Sequence, residues 1–115
     1  MMIKKIKNLI RWIPIIWKDR DWDFYFTYEI LKKKLEFQAE FTRKHGYHEA
    51  SLRDASRMET CVRLIKKLQH EEYIIIPVTN REYTEQDFKN DQMRHDKARK
   101  LLFKILEQDI ERWWD

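Results

Sequence analysis

The scarcity of glycine and proline constrains this chain more than any other feature. Its 115 residues include one Gly and two Pro, so the residues that most often form turns are almost missing. Long uninterrupted segments must therefore make up the fold, and we predict an all-α protein. A phosphate-binding loop or a dinucleotide-binding turn needs several glycines. The composition thus favours a non-enzymatic protein that binds something over one that catalyses a reaction.

The charge and the aromatic content bear on partners. The chain carries 43% hydrophobic residues, enough for one modest core and one domain over 1–115. Five Trp, five Tyr and six Phe exceed what so small an interior hides, which predicts a homo-oligomer. The formal net charge of +4 is mild, and acids are dispersed among the bases, so nucleic acid is a less favoured partner. A single Cys indicates a reducing, cytoplasmic compartment.

Apolar spacing predicts three long helices after a short amphipathic N-terminal one. The short helix carries isoleucines at steps of three and four, stops near Pro14, and is expected to dock on the core or on a second subunit. A membrane-surface helix is the less favoured alternative, and membrane binding is not expected. The first long helix is predicted to end near Lys44. The second is predicted to start around His48 or Ser51 and to continue to about Glu72, and the third to span about 85 to 113. A short extended connector is expected over 73–79, and Gly46 is expected to end the first long helix in the left-handed conformation.

Each long helix has a predicted inward face. The first has an aromatic stripe and a second apolar stripe, so it is expected between two neighbours. In the first helix the aromatic stripe is Trp22, Phe26, Ile30, Phe37 and Phe41, and the second stripe is Tyr28, Leu31 and Leu35. The face of the second helix is Leu52, Ala55, Met58, Val62, Ile65 and Leu68. The face of the third is Phe88, Ala98, Leu101, Leu102, Ile105, Leu106, Ile110 and Trp113.

Histidine and cysteine give little support for catalysis or metal binding. His45 and His48 straddle a glycine and have no thiol or carboxylate pair at ligand spacing. His95 precedes Asp96 on a predicted helix, where neighbours point about 100° apart, so the acid cannot orient the imidazole. Cys61 borders an apolar stripe and is interpreted as a buried hydrophobe. We predict no catalytic residue, no metal and no cofactor.

Basic and aromatic side chains are the better candidates for a site. Arg53 and Arg57 are one helical turn apart, as are Arg63 and Lys67, and guanidinium groups suit phosphates. A solvated charged face is the plainer interpretation of the same residues. Lys33 falls on the aromatic stripe, and Tyr73 or Trp114 could stack on a base. The predicted ligand-binding residues are Arg53, Arg57, Arg63, Lys67, Lys33, Tyr73 and Trp114.

Several segments together resemble a group of small helical proteins of tailed bacteriophages. They are Asp21-Trp22-Asp23, Ile30-Leu31-Lys32 with Lys34 to Phe37, Ala55 with Arg57-Met58, Cys61 to Leu68, Leu102-Phe103-Lys104 and Trp113-Trp114-Asp115. The resemblance covers about 20 to 115 and carries no functional residues over. It implies a phage accessory protein that sequesters an anionic nucleotide-like ligand, such as a host immune signal, in the host cytoplasm. Alternatives are a protein-binding inhibitor or adaptor that acts on a host protein, and an RNA- or DNA-binding protein.

Overall fold

All regular secondary structure in the described part of the chain is helical. A computed structural model of the protein describes residues 2–19, 24–46, 50–70 and 82–113. It contains α1 (Met2–Lys18), α2 (Phe24–His45), α3 (Ser51–Gln69) and α4 (Glu85–Asp109), and a 3₁₀ turn at Ile110–Arg112 follows α4. The all-α prediction is confirmed for these ranges, and the connector predicted at 73–79 lies outside them. Within these ranges, no helix is both long and apolar enough to cross a bilayer.

Helices α2, α3 and α4 enclose one core. Helix α3 lies in the middle, with α2 and α4 packed against it, and its buried side chains repeat at the three- and four-residue steps of one helix face. Small residues allow the close approach, among them Ala39 of α2 and Ala98 of α4. The buried cluster consists of Leu35, Ala39, Met58, Cys61, Ile65, Leu68, Ala98, Leu102, Ile105, Leu106 and Trp113.

The N-terminal helix differs from the prediction in length and in packing. It continues through Pro14 to Lys18 instead of stopping. Proline removes one hydrogen-bond donor, and because α1 is exposed, water can solvate the carbonyl that loses its partner. None of its residues is buried, so the isoleucines do not dock on the core. The Cα radius of gyration of 17.5 Å exceeds the roughly 13 Å of a compact chain of this length, in keeping with an α1 that, among the described helices, contacts α2 alone.

All three predicted inward faces need correction. In α2 the second predicted stripe faces the core through Leu35, joined by the small Ala39, whereas Ile30 and Phe41 of the aromatic stripe are exposed. Trp12 of α1 covers Phe37, so α2 lies between two neighbours at that point. Because α4 meets α3 along a narrow stripe, several apolar residues predicted to face inward are exposed. They are Leu52 in α3, Phe88 and Leu101 in α4, and Ile110 in the turn.

The start of α4 agrees with its sequence-based prediction, whereas the end of α2 does not. Thr84 and Asp87 form the predicted capping box, in which each side chain accepts the other residue's backbone N–H. Gly46 follows α2, and its N–H donates to the Thr42 carbonyl at 2.9 Å. Its φ, however, lies outside the left-handed region, so the expectation of a left-handed glycine was wrong.

Candidate functional site

Three arginines meet at one end of the bundle. Arg53 and Arg57 project from the first two turns of α3, and Arg112 projects from the 3₁₀ turn after α4. With Gln108 and Asp109 they line an open cleft of about 370 Å³. Three guanidinium groups face a single carboxylate in this lining, so the cleft carries a net positive charge. We call this set of five residues the arginine cleft.

Asp109 organises the arginine cleft. Its carboxylate is buried and accepts a charge-assisted hydrogen bond from Nε of Arg57. It also accepts a longer bond, 3.4 Å, from Nη1 of Arg112, three residues further on. A buried carboxylate with two guanidinium partners holds both arginines in place. Arg57 binds Asp109 through Nε, so this bond does not use the donors of its two terminal nitrogens.

Arg53 completes the cleft from the first turn of α3. Its Nη2 lies 3.8 Å from Oδ1 of Asp54, a buried carboxylate beside it in the chain. The Arg53 side chain is 56% exposed and that of Arg112 is 55% exposed. Both guanidinium groups can therefore contact a solute in the cleft without a change in the fold.

The structure brings together two of the seven predicted ligand-binding residues. Arg53 and Arg57 share the cleft. Arg63 lies about 9 Å beyond Arg57 along the axis of α3 and about 120° around the helix from it. Its guanidinium donates to Oγ1 of Thr60 at 3.0 Å. Lys33, on α2, pairs with Glu36 at 3.4 Å, and Lys67 does not line the cleft. Tyr73 and Trp114 lie outside the described residues.

Sequence reasoning missed Gln108, Asp109 and Arg112. Asp109 lies 52 positions from Arg57, so no local pattern predicts their contact. One signal was present: Asp109 and Arg112 have the i, i+3 spacing of a helical ion pair within an acidic C-terminal segment.

A second polar cluster joins α2 to α3 in the interior. Lys32 is buried, with 8% of its surface exposed, and its ammonium pairs with Glu29 at 2.8 Å. Nε2 of Gln69 donates to the Tyr25 carbonyl at 3.0 Å and to Glu29 at 3.2 Å. Burial raises the pKa of Glu29, but the bonds from Lys32 and Gln69 and the charge of Lys32 outweigh it and leave that pKa lowered. The buried ammonium of α2 is Lys32, whereas the Lys33 side chain is partly exposed.

Cys61 has no activated thiol. It is fully buried between α2, α3 and α4, and burial raises its pKa to about 11, with Asp109 adding to the rise and Arg57 opposing it. The interpretation of Cys61 as a buried hydrophobe is confirmed. Across the ranges that the structure describes, no group of three or more His, Cys, Asp or Glu residues could hold a metal ion.

Comparison with protein-family models, with curated proteins and with solved structures found no significant match. The arginine cleft is therefore the feature from which function is inferred.

Proposed function

We propose that the protein binds an anionic, phosphate-bearing small molecule in the arginine cleft and does not transform it. The convergence of Arg53, Arg57 and Arg112 on one cleft supports this proposal more than any other observation. Planar guanidinium groups bind phosphate oxygens in pairs. A cleft near 370 Å³ is at the small end of the range for ligand sites, about 300–1,000 Å³, which suits a nucleotide-sized ligand.

The chemistry of the lining favours binding over catalysis. Guanidinium groups keep their protons at neutral pH and do not serve as acid or base. The one carboxylate of the cleft, Asp109, already accepts bonds from Arg57 and Arg112. What the cleft offers a solute is positive charge and N–H donors, so it can hold a phosphate in a fixed orientation.

The wider setting is also a proposal. We propose a cytoplasmic homo-oligomer of phage origin whose ligand is a host signalling nucleotide, held by the three-helix body of α2, α3 and α4. The short connector and the stacking roles of Tyr73 and Trp114 belong to the same proposal. Cyclic di- and trinucleotides are therefore the first ligands to test, with inorganic pyrophosphate as the minimal probe.

Isothermal titration with these ligands tests the cleft. The variant Arg53→Gln/Arg112→Gln removes two exposed guanidinium groups and leaves the Arg57–Asp109 pair intact. A charge-assisted hydrogen bond is worth about 1.5–3 kcal/mol, so we expect the variant to weaken binding by at least ten-fold. Because the interaction is ionic, higher salt should weaken binding by the unmodified protein.

Two control variants separate the cleft from the overall charge. Arg99→Gln/Lys100→Gln removes the same charge from exposed positions of α4 and should leave the affinity within about two-fold. Arg63→Gln/Lys67→Gln tests the sequence-based site. Equal losses from all three double variants would indicate nonspecific attraction, and no binding by any ligand would refute the proposal.

A further inference from the structure

Helix α1 has a continuous apolar face that no other described residue covers. At 100° per residue, seven large apolar side chains fall within an arc of about 140° that contains no polar residue, and Trp17 lies about 40° beyond one edge, in the same direction as Lys7. Each of these eight side chains is between 47% and 86% exposed. These residues, which we call the α1 apolar face, are Met2, Ile3, Ile6, Leu9, Ile10, Ile13, Ile16 and Trp17.

The α1 apolar face is open because α1 contacts the bundle through its other side. The Trp12 ring meets the Phe37 ring edge-on with centroids 5.2 Å apart. The Arg11 guanidinium lies 3.5 Å from the centroid of the same ring, a cation–π contact. Residues 11 and 12 lie outside the apolar arc, so their contacts with α2 turn that arc away from the bundle.

The charges around the α1 apolar face have one sign. Helix α1 contains four Lys and one Arg and no acidic residue. Lys5 borders one edge of the apolar arc, whereas Lys7 and Lys18 lie beyond the other edge. Long basic side chains at the edges of an apolar face can keep their stems in an apolar layer and reach outward with their charges.

We propose that α1 lies flat in the surface of an anionic lipid bilayer, with the α1 apolar face in the acyl layer and its cations among the headgroups. A cationic amphipathic helix with a large apolar side chain at every position of one face has the form of an interfacial helix. A helix of 17 residues is about 25 Å long, which suits an in-plane position. Sequence periodicity alone favoured docking on the core, because it does not show which face the bundle covers.

A second copy of the chain fits the same face less well. If two α1 helices met through their apolar faces, the cations at the edges would lie opposite one another, and α1 has no carboxylate to pair with them. Like charges at close range oppose such contact. An anionic bilayer supplies the missing negative charge, and each cation near its surface adds roughly five-fold to the affinity.

Co-flotation of the full chain with vesicles tests the proposal. We expect the protein to float with phosphatidylcholine vesicles that contain about 30% phosphatidylserine, and at least ten-fold less with phosphatidylcholine alone. Ile6→Glu/Ile13→Glu places two acids in the middle of the α1 apolar face and should abolish flotation. Both positions are exposed, so circular dichroism and melting temperature should not change.

Phe88→Glu/Phe103→Glu is the matched control. It makes the same change of charge at two exposed aromatic positions of α4, 58% and 51% exposed, and should float like the unmodified protein. Three results would overturn the proposal: no flotation with either vesicle, equal loss in both double variants, or a dimer in sedimentation velocity that only Ile6→Glu/Ile13→Glu dissociates.

Discussion

Gly46→Ala should destabilise the protein, because the space beside Gly46 is already filled. A Cβ added at Gly46 would lie 2.4 Å from Oγ of Ser51, 2.5 Å from Cβ of Ser51 and 2.6 Å from the carbonyl oxygen of Thr42. Rotation of the Ser51 side chain could relieve the first contact only. Real Cβ atoms stay beyond 3.0 Å, so the start of α3 must move away from Gly46 by about half an ångström, and the last turn of α2 must also shift to free the Thr42 carbonyl.

Overpacking of this kind costs about 1–3 kcal/mol. At roughly 4 °C per kcal/mol for a chain of this size, Gly46→Ala should lower the melting temperature by about 4–12 °C. Thermal and urea unfolding followed by far-UV circular dichroism measure this change. The slope of the free energy of unfolding against urea should stay the same, because only stability changes.

Two further variants distinguish close approach from a left-handed backbone. Asn tolerates the left-handed region, so a left-handed position would accept Gly46→Asn with little loss. Close approach predicts that Gly46→Asn costs at least as much as Gly46→Ala, since its side chain is larger. When Ser51 is already Gly, Gly46→Ala should cost less stability than it costs in the unmodified protein, because the Ser51 atoms that the new Cβ meets are gone. A stable Gly46→Asn, or strict additivity in the double variant, would refute the reasoning.

Two other predictions concern buried groups. Lys32→Met leaves Glu29 without its buried partner and should lower the free energy of unfolding by about 1–3 kcal/mol at pH 7. The pKa of Glu29 is lowered in the folded protein, so the stability that the Lys32–Glu29 pair contributes is present above the unfolded pKa of 4.5 and is lost as pH falls through the folded pKa. Urea titrations of the unmodified protein from pH 7 to about 3 should show this decline. A parallel decline in Lys32→Met would contradict it. The pKa of about 11 for Cys61 predicts that an alkylating reagent at about pH 8 reacts at least ten-fold more slowly with native than with urea-unfolded protein; equal rates would show that the thiol is accessible.

Local patterns predicted the parts of the fold that depend on local physics. The capping box at Thr84 and Asp87 needs only two residues three apart. The buried stripe of α3 follows from the helical period, and Met58, Ile65 and Leu68 lie where that period places them. Leu52 and Phe88 follow the same period but are exposed, because none of the described helices packs over them. A period indicates which residues share a face, and tertiary contacts decide whether that face is covered.

The arginine cleft shows the same limit for polar residues. Helical spacing placed Arg53 and Arg57 together, since the geometry of α3 alone determines their separation. Asp109 and Arg112 join them only because α4 packs along α3 with its C-terminal end beside the N-terminal end of α3. That direction is set by the packing of core residues such as Leu102 and Ile105, and the charges cannot reveal it before the packing is known.

The size of the apolar residues distinguishes α1 from the helices that form the core. The buried stripes of α2, α3 and α4 each contain a small residue, namely Ala39, Cys61 with Ala55, and Ala98. Small residues let two helix axes approach closely enough for the larger neighbours to interdigitate. The α1 apolar face contains only Met, Ile, Leu and Trp, so it has no such point of close approach. A fluid acyl layer adapts to large side chains without a matching groove, which is why residue size, read together with the one-signed charge, favours a bilayer over a helix as the surface that covers α1.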